Sequence, residues 1–311
     1  MRARAPNGKR RLTGRSVSPS LRGICWMVLS TLFFAVMHAS VRHVGALGLH
    51  PFEIAFFRNL FGLLVVLPWL VRLGFAVFRT RRLGLHGLRA AVNAAAMLLF
   101  FYALTIAPLT QVTALAFTAP VFAALLAVLF LKERVGIGRW LAIMIAFLGT
   151  LVILRPGLET PSLGSLLTLL AAVGWAIVLL IVKVLGRTES SIGITAYMSL
   201  LIAPIALVPA LGVWQWPTPH QLTWLVAIGI AGSSGQILLT QALKSAETHV
   251  VMPFDFFRLI WIAILSYLAF AEIPDLFTWV GGLLIFAGAG YITLQERRLE
   301  QRARSSATPQ Q

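Results

Sequence analysis

Asp255 and Arg258 stand three residues apart inside the apolar run VVMPFDFFRLIWIAIL, from Val250 to Leu265. A charge near the centre of a membrane helix costs about 2.5–3.5 kcal/mol on insertion scales, so it must face protein, water or a ligand. A second arginine, Arg58, lies in FEIAFFRNLF, with Glu53 shortly before it. Guanidinium groups offer planar, bidentate recognition of carboxylate or phosphate and stay charged when partly buried. Arg258 and Arg58 are therefore the leading candidates for contact with an anionic substrate group, with Asp255 orienting Arg258 from one helical turn away. The competing reading is structural: Asp255 neutralises Arg258 within one helix, and Glu53 or the backbone does the same for Arg58. As the most deeply placed acid, Asp255 is also the candidate should a proton be the coupling ion.

Other polar and aromatic side chains lie at similar depth. Asn93 could orient a ligand or clamp two helices together. Thr113 and Thr118 flank the middle of one apolar run, and His38 reads as a packed histidine. Trp175 and Trp261, with Phe34, Phe117, Phe256 and Phe257, could stack on a flat ligand or simply fill space between helices. Arg42 and Lys183 read as snorkelling residues at helix ends. No catalytic signature accompanies them: there is no His-Glu-x-x-His and no phosphate-binding loop. AGSSGQ at 231–236 fails the Gly-x-Ser-x-Gly pattern, and its Gly229/Ser233 neighbourhood reads as close helix packing. An enzyme is not expected, and neither a cofactor nor a metal site.

The elements that must position these residues are membrane spans. Of the 311 residues 59% are hydrophobic and only 12% charged, with a mean hydropathy of +0.86. A soluble domain is nearer one quarter charged. Apolar runs long enough to cross about 30 Å of hydrocarbon recur along the chain, at 22–44, 51–73, 85–107, 109–131, 138–155, 163–186, 191–211, 220–243, 248–270 and 275–294. The net charge of +16 is topological. With the N-terminus inside, 22 of the 26 Lys and Arg fall on the cytoplasmic side, Arg42 and Arg155 fall outside, and Arg58 and Arg258 remain within spans. That asymmetry follows the positive-inside rule and gives both termini to the cytoplasm, with no need for a nucleic-acid partner. The opening segment lacks the apolar core of a cleaved signal, and the single Cys25 excludes a disulfide within the chain.

The chain also repeats itself. ALTIAPLTQVTALAFTAPVFAALLAVLFLKERVGIGRWLAIMIAFLGTLVI, from Ala103, aligns without gaps on the stretch beginning ALKSAETHVVMPFDFFRLIW at Ala242. Phe117 then falls on Phe256, Glu133 on Glu272, Trp140 on Trp279 and Gly149 on Gly288. A slightly different register places Gly23 on Gly164, Phe34 on Trp175 and Arg42 on Lys183. Each unit has five spans, an odd number, so the second must enter the membrane in the opposite sense. Inverted units are the construction logic of alternating-access carriers, with substrate near the midplane between them. Glu133 and Glu272, equivalent residues at opposite faces, are candidate gating residues.

PVFAALLAVLFLKE at 120–133, GRWLAIMIAFLGTLVIL after it, and FAEIPDLFTWVGGLLIFAGAGYI in the second half resemble the EamA-like family of the drug/metabolite transporter superfamily. The resemblance implies an all-α polytopic membrane protein with ten transmembrane helices in two inverted five-helix repeats around a central cavity, and both termini cytoplasmic. Among the branches, LHPFEIAFFRNLF and VVMPFDFFRLIW look most like bacterial carriers of S-adenosylmethionine-type or riboflavin-type metabolites. The expected organisation is a basic tail (1–21), a first repeat (22–155), a second repeat (163–294) and a C-terminal tail (295–311). The expected function is secondary transport of a small water-soluble metabolite across the bacterial inner membrane, downhill or coupled to an ion such as H+. Export of amino acids or other metabolites is the nearest alternative. A non-transporting scaffold or an intramembrane enzyme is the alternative of another class. The candidate substrate-binding set is Arg58, Asn93, Thr118, Trp175, Asp255, Arg258 and Trp261.

Overall fold

The structure is a computed structural model, and it describes residues 19–73, 80, 82–131, 137–155, 161–185, 191–246 and 248–307. Among them there is helix and connecting turn but no strand. The helices are α1 (Pro19–Ala46), α2 (Pro51–Leu73), α3 (Leu83–Ile106), α4 (Leu109–Ala116), α5 (Ala119–Leu131) and α6 (Ile137–Leu154). They continue with α7 (Leu163–Leu185), α8 (Ser191–Leu211), α9 (Pro219–Ser245), α10 (Thr248–Val251), α11 (Phe257–Phe270) and α12 (Leu276–Ala307). Five helical stretches are long and apolar enough to cross a membrane, by length and composition. Large apolar side chains such as Phe130, Phe147, Leu148, Leu170 and Leu283 stand exposed on the bundle surface. A soluble monomer does not leave so much apolar surface in water, and this is a polytopic membrane protein.

Each expected span lies on helix, but the fourth and ninth are broken. α4 and α5 are separated by a turn at Phe117–Thr118, and Pro120 follows at the second position of α5. Proline has no N–H for the i−4 carbonyl, so the helix cannot run through unchanged. The hydroxyl of Thr118 donates to the carbonyl of Leu115 at 2.7 Å, the same oxygen that the Thr118 N–H reaches at 3.0 Å across the turn. In the ninth span, α10 gives way to a 3₁₀ turn, Met252–Phe256, that carries Pro253. The two breaks meet their following helices at corresponding positions, since Phe117 aligns with Phe256. Different prolines thus interrupt the two halves at the same level. The last helix runs past the boundary expected at 294, because QERRLEQRAR is rich in good helix formers.

Packing between helices recurs in matching pairs. α1 lies on α9 and α7 on α3; α2 lies on α9 and α8 on α3; α1 meets α11, and α7 meets α4 and α5. α6 packs on α12, and α2 on α8. The close contacts match residue by residue. A methyl group on Gly23 would strike the Ala246 methyl, and one on Gly164 would strike that of Ala107. On α6 and α12, a methyl on Gly149 would meet the Gly281 carbonyl, and one on Gly288 the Ala142 carbonyl. Small residues allow backbones to approach this closely, which is how membrane helices associate without a hydrophobic drive. The largest buried cluster joins α1, α2 and α3 with parts of α7, α8, α9 and α11, and the polar residues are set within it.

Candidate functional site

The charged pair lies where the 3₁₀ turn passes into α11. A 3₁₀ turn repeats every three residues, so positions i and i+3 eclipse. That geometry brings an Arg258 terminal nitrogen to 2.5 Å from the Asp255 carboxylate. The guanidinium also lies over the Phe34 ring at 4.9 Å and near that of Phe117 at 5.7 Å. It therefore touches α1 and the α4–α5 break as well as its own helix. Its Nε is buried and has no partner.

The second arginine, Arg58, lies on α2. It bonds to the side-chain oxygen of Asn59 at 2.9 Å, and the Asn59 amide bonds in turn to the Ala55 carbonyl and the Met97 sulfur. The expected alternative partner, Glu53, is engaged elsewhere: its carboxylate accepts from the backbone N–H of Gln215 at 2.7 Å and of His50 at 3.3 Å. Gly232 on α9 leaves room for Arg58, since a methyl there would press on the Arg58 guanidinium and the Met37 sulfur. His38 lies on α1 one residue from Met37, which shares the Gly232 contact with Arg58, and one turn from Phe34, the ring under Arg258. His38 is buried, edge-on to Phe100 at 5.1 Å, and its Nδ1 has no partner. Phe100 lies 5.0 Å from Trp175. Two more buried polar atoms lack partners, the Trp261 indole N–H and the Thr113 hydroxyl.

The structure therefore brings Arg58, Asp255, Arg258 and Trp175 into one neighbourhood through His38, Phe34 and Phe100, and Trp261 packs against the same core. Thr118 does not join them as a free contact, because its hydroxyl is spent on the Leu115 carbonyl. Asn93 is half-buried on α3, one turn from Met97, with no tie to the group. Ile262 is fully buried in the core, and Ser266 bonds to Glu272 at 2.8 Å. Phe100 had no signal in the sequence, being one apolar residue among many. His38 was visible as a polar residue in an apolar run, but not its packing on Phe100 or its unpartnered Nδ1.

A second cluster closes one end of the bundle. Arg42, expected to snorkel, instead forms an ion pair with Glu272 and bonds to the carbonyls of Leu104 and Ala107. Its guanidinium lies 5.2 Å from the Phe270 ring centre. Glu272 also accepts from the Leu109 N–H at 3.2 Å. One carboxylate thus joins α1, the start of α4 and the α11–α12 connection. Arg155 pairs with Asp275 on the same connection, and Gln221 bonds to the Leu47 carbonyl at 3.0 Å. Beside these ties lies an open pocket of about 460 Å³ lined by Leu49, His50, Tyr102, Thr105 and Gln215 among others. Burial draws the pKa of His50 below its ordinary value, against a smaller upward pull from Glu53. Glu133, the other candidate gating residue, lies outside the described residues. Among the described residues no three His, Cys, Asp or Glu side chains gather as a metal site would require.

Gly229 and Ser233 pack closely as expected. Gly229 abuts Phe61 and Gly62, and the Ser233 hydroxyl bonds to the Gly62 carbonyl at 3.1 Å.

The EamA-like transporter family model matches this chain twice, over residues 21–155 and 162–294. The chain is 31% identical to an S-adenosylmethionine uptake transporter of Rickettsia prowazekii, over 89% of this chain and 94% of that protein. It is 32% identical to a riboflavin transporter of Vibrio cholerae, over 92% and 98% respectively. A riboflavin transporter of Brucella anthropi is 34% identical, over 87% of this chain and 98% of that one. A solved crystal structure superposes with a TM-score of 0.58 at 19% identity, covering 91% of this chain and 98% of the other, which speaks for the fold alone. With two family matches that together cover nearly all the helical region, the chain belongs to the EamA-like transporter family.

Proposed function

We propose that this protein is an inner-membrane secondary carrier that moves a small water-soluble metabolite by alternating access, with a substrate of the S-adenosylmethionine or riboflavin type. The observation that carries the reading is the polar group between the two halves of the chain. His38 and Arg58 come from the first half, Asp255, Arg258 and Trp261 from the second, and three of their buried polar atoms have no protein partner. Buried polar atoms are nearly always hydrogen-bonded, so unserved ones mark a place for water or ligand. A site shared by two related halves is what a carrier needs if each half is to open in turn. The reading is supported by the matched helix contacts and matched breaks, and by the odd number of spans in each half, which sets them in opposite senses. Relatives named as carriers of S-adenosylmethionine or riboflavin support the substrate type.

In this reading the two halves are inverted repeats of five spans, and the Arg42–Glu272 pair is the lock of one face. By the same sequence correspondence Lys183 and Glu133 are the candidate lock of the other. Both termini are cytoplasmic, as the distribution of Lys and Arg favours, so the Arg42–Glu272 end faces outward. A reporter active only outside the cytoplasm, fused after Gln311, is expected to stay silent; strong activity there would reverse the assignment of faces.

The carrier reading is tested with purified protein in liposomes preloaded with unlabelled riboflavin or S-adenosylmethionine. Labelled solute outside should accumulate transiently by counterflow with at least one of them. A scaffold or an intramembrane enzyme exchanges no solute, so absence of counterflow with either compound, and with a panel of amino acids, would sink the reading. Counterflow with amino acids alone would favour the exporter alternative.

A further inference from the structure

The polar group is unequal in charge and in hydrogen-bonding sense. Among the described residues, Asp255 is the one carboxylate beside the two guanidiniums, and it is paired with Arg258. The other acids near this level are committed at helix ends: Glu53 to Gln215 and His50, Glu272 to Arg42, Leu109 and Ser266. Arg58 meets only the neutral Asn59 side chain. Among the described residues the Arg58 charge therefore has no paired carboxylate, and charges inside the bundle interact far more strongly than in water. Of the unserved atoms, the His38 Nδ1 can accept or donate according to its tautomer, and two are donors alone. The Arg258 Nε and the Trp261 indole nitrogen can only donate. The Phe34 ring lies under the Arg258 guanidinium, and Phe100 and Trp175 follow one another beside His38.

We infer that this site takes a metabolite of zero or negative net charge that offers hydrogen-bond acceptors on a flat ring, and that it rejects net cations. The inference rests on the carrier reading only for the location of the site, and it separates two substrate types that the carrier reading leaves together. A neutral flavin, a ring edged with carbonyl oxygens and ring nitrogens, meets every requirement. A sulfonium such as S-adenosylmethionine brings a net positive charge toward an arginine without a paired carboxylate.

S-adenosylmethionine and S-adenosylhomocysteine differ by one methyl group and one positive charge, so together they isolate the charge. Equilibrium binding of riboflavin, S-adenosylhomocysteine and S-adenosylmethionine to the full-length protein in detergent is expected to show at least one neutral compound bound at least about tenfold more tightly than the cation. Moderately screened repulsion between two unit charges is of this size. Arg58→Gln should shrink that ratio to within about threefold, whereas Arg58→Lys should preserve it. If S-adenosylmethionine binds within tenfold of both neutral compounds, or none of the three binds, the inference is overturned. If the ratio survives Arg58→Gln in folded protein, the charge argument fails as well. Counterflow is scored separately: if it fails while the binding order holds, the carrier reading falls and the site assignment stands.

Discussion

Arg258→Gln is expected to weaken substrate binding roughly tenfold to a hundredfold, the equivalent of one or two charge-assisted hydrogen bonds at about 1.5–3 kcal/mol each. Asp255→Asn is expected to act first on folding. It leaves the guanidinium half-buried against Phe34 and Phe117 without its counter-ion; breaking a fully buried pair from one side costs about 3–5 kcal/mol, and the 21% and 16% exposure of these side chains reduces that cost. The double variant removes both charges together, so its folded yield should exceed that of Asp255→Asn while its binding stays as poor as that of Arg258→Gln. Measuring binding and yield for all three variants separates the two roles, because a purely structural pair would change yield alone. If Arg258→Gln binds normally, the pair is a structural device and the site lies instead around Arg58 and Asn93.

Glu272→Gln should alter transport rate much more than affinity. The Glu272 carboxylate accepts from Arg42, from the Leu109 N–H and from the Ser266 hydroxyl. Its amide replacement loses the charge that holds Arg42. The side chains of this pair are 20% and 23% exposed, so solvent screens only part of the interaction. A loss of about 1.4 kcal/mol would multiply the population open at this end by ten. That shift can be read from labelling of Thr113→Cys by a membrane-impermeant thiol reagent, after the exposed Cys25 is replaced by serine. Faster labelling, altered exchange and an affinity within about twofold of the parent are expected. Weaker binding at unchanged turnover would place Glu272 in the substrate site instead of the gate.

What the chain declared in one dimension was its solvent and its repetition. Long apolar runs, basic residues gathered on one side and the Glu–Trp–Gly correspondence between Ala103 onward and Ala242 onward were enough for a polytopic helical protein of this family. These signals survive because they depend on local composition and on duplication, not on how helices turn toward one another. Asp255 and Arg258 were likewise legible, since an ion pair three residues apart needs only spacing. Pro120 and Pro253 were visible too, but not that they would break the two halves at corresponding levels.

Only the tertiary structure decided partners and facing. α1 is apolar nearly all round, so nothing in its sequence says which side holds His38, and an all-round apolar helix carries no directional stripe to read. That His38 packs on Phe100, that Arg42 pairs with Glu272, and that Ser266 donates to the same carboxylate follow from the rotation and approach of packed helices. Those are set where glycines at 149, 232, 235 and 281 admit a neighbouring helix. Such contacts join residues as much as 230 positions apart. A sequence pattern reports which side chains are costly in lipid; which of them meet is settled by close packing between helices that are distant in the chain.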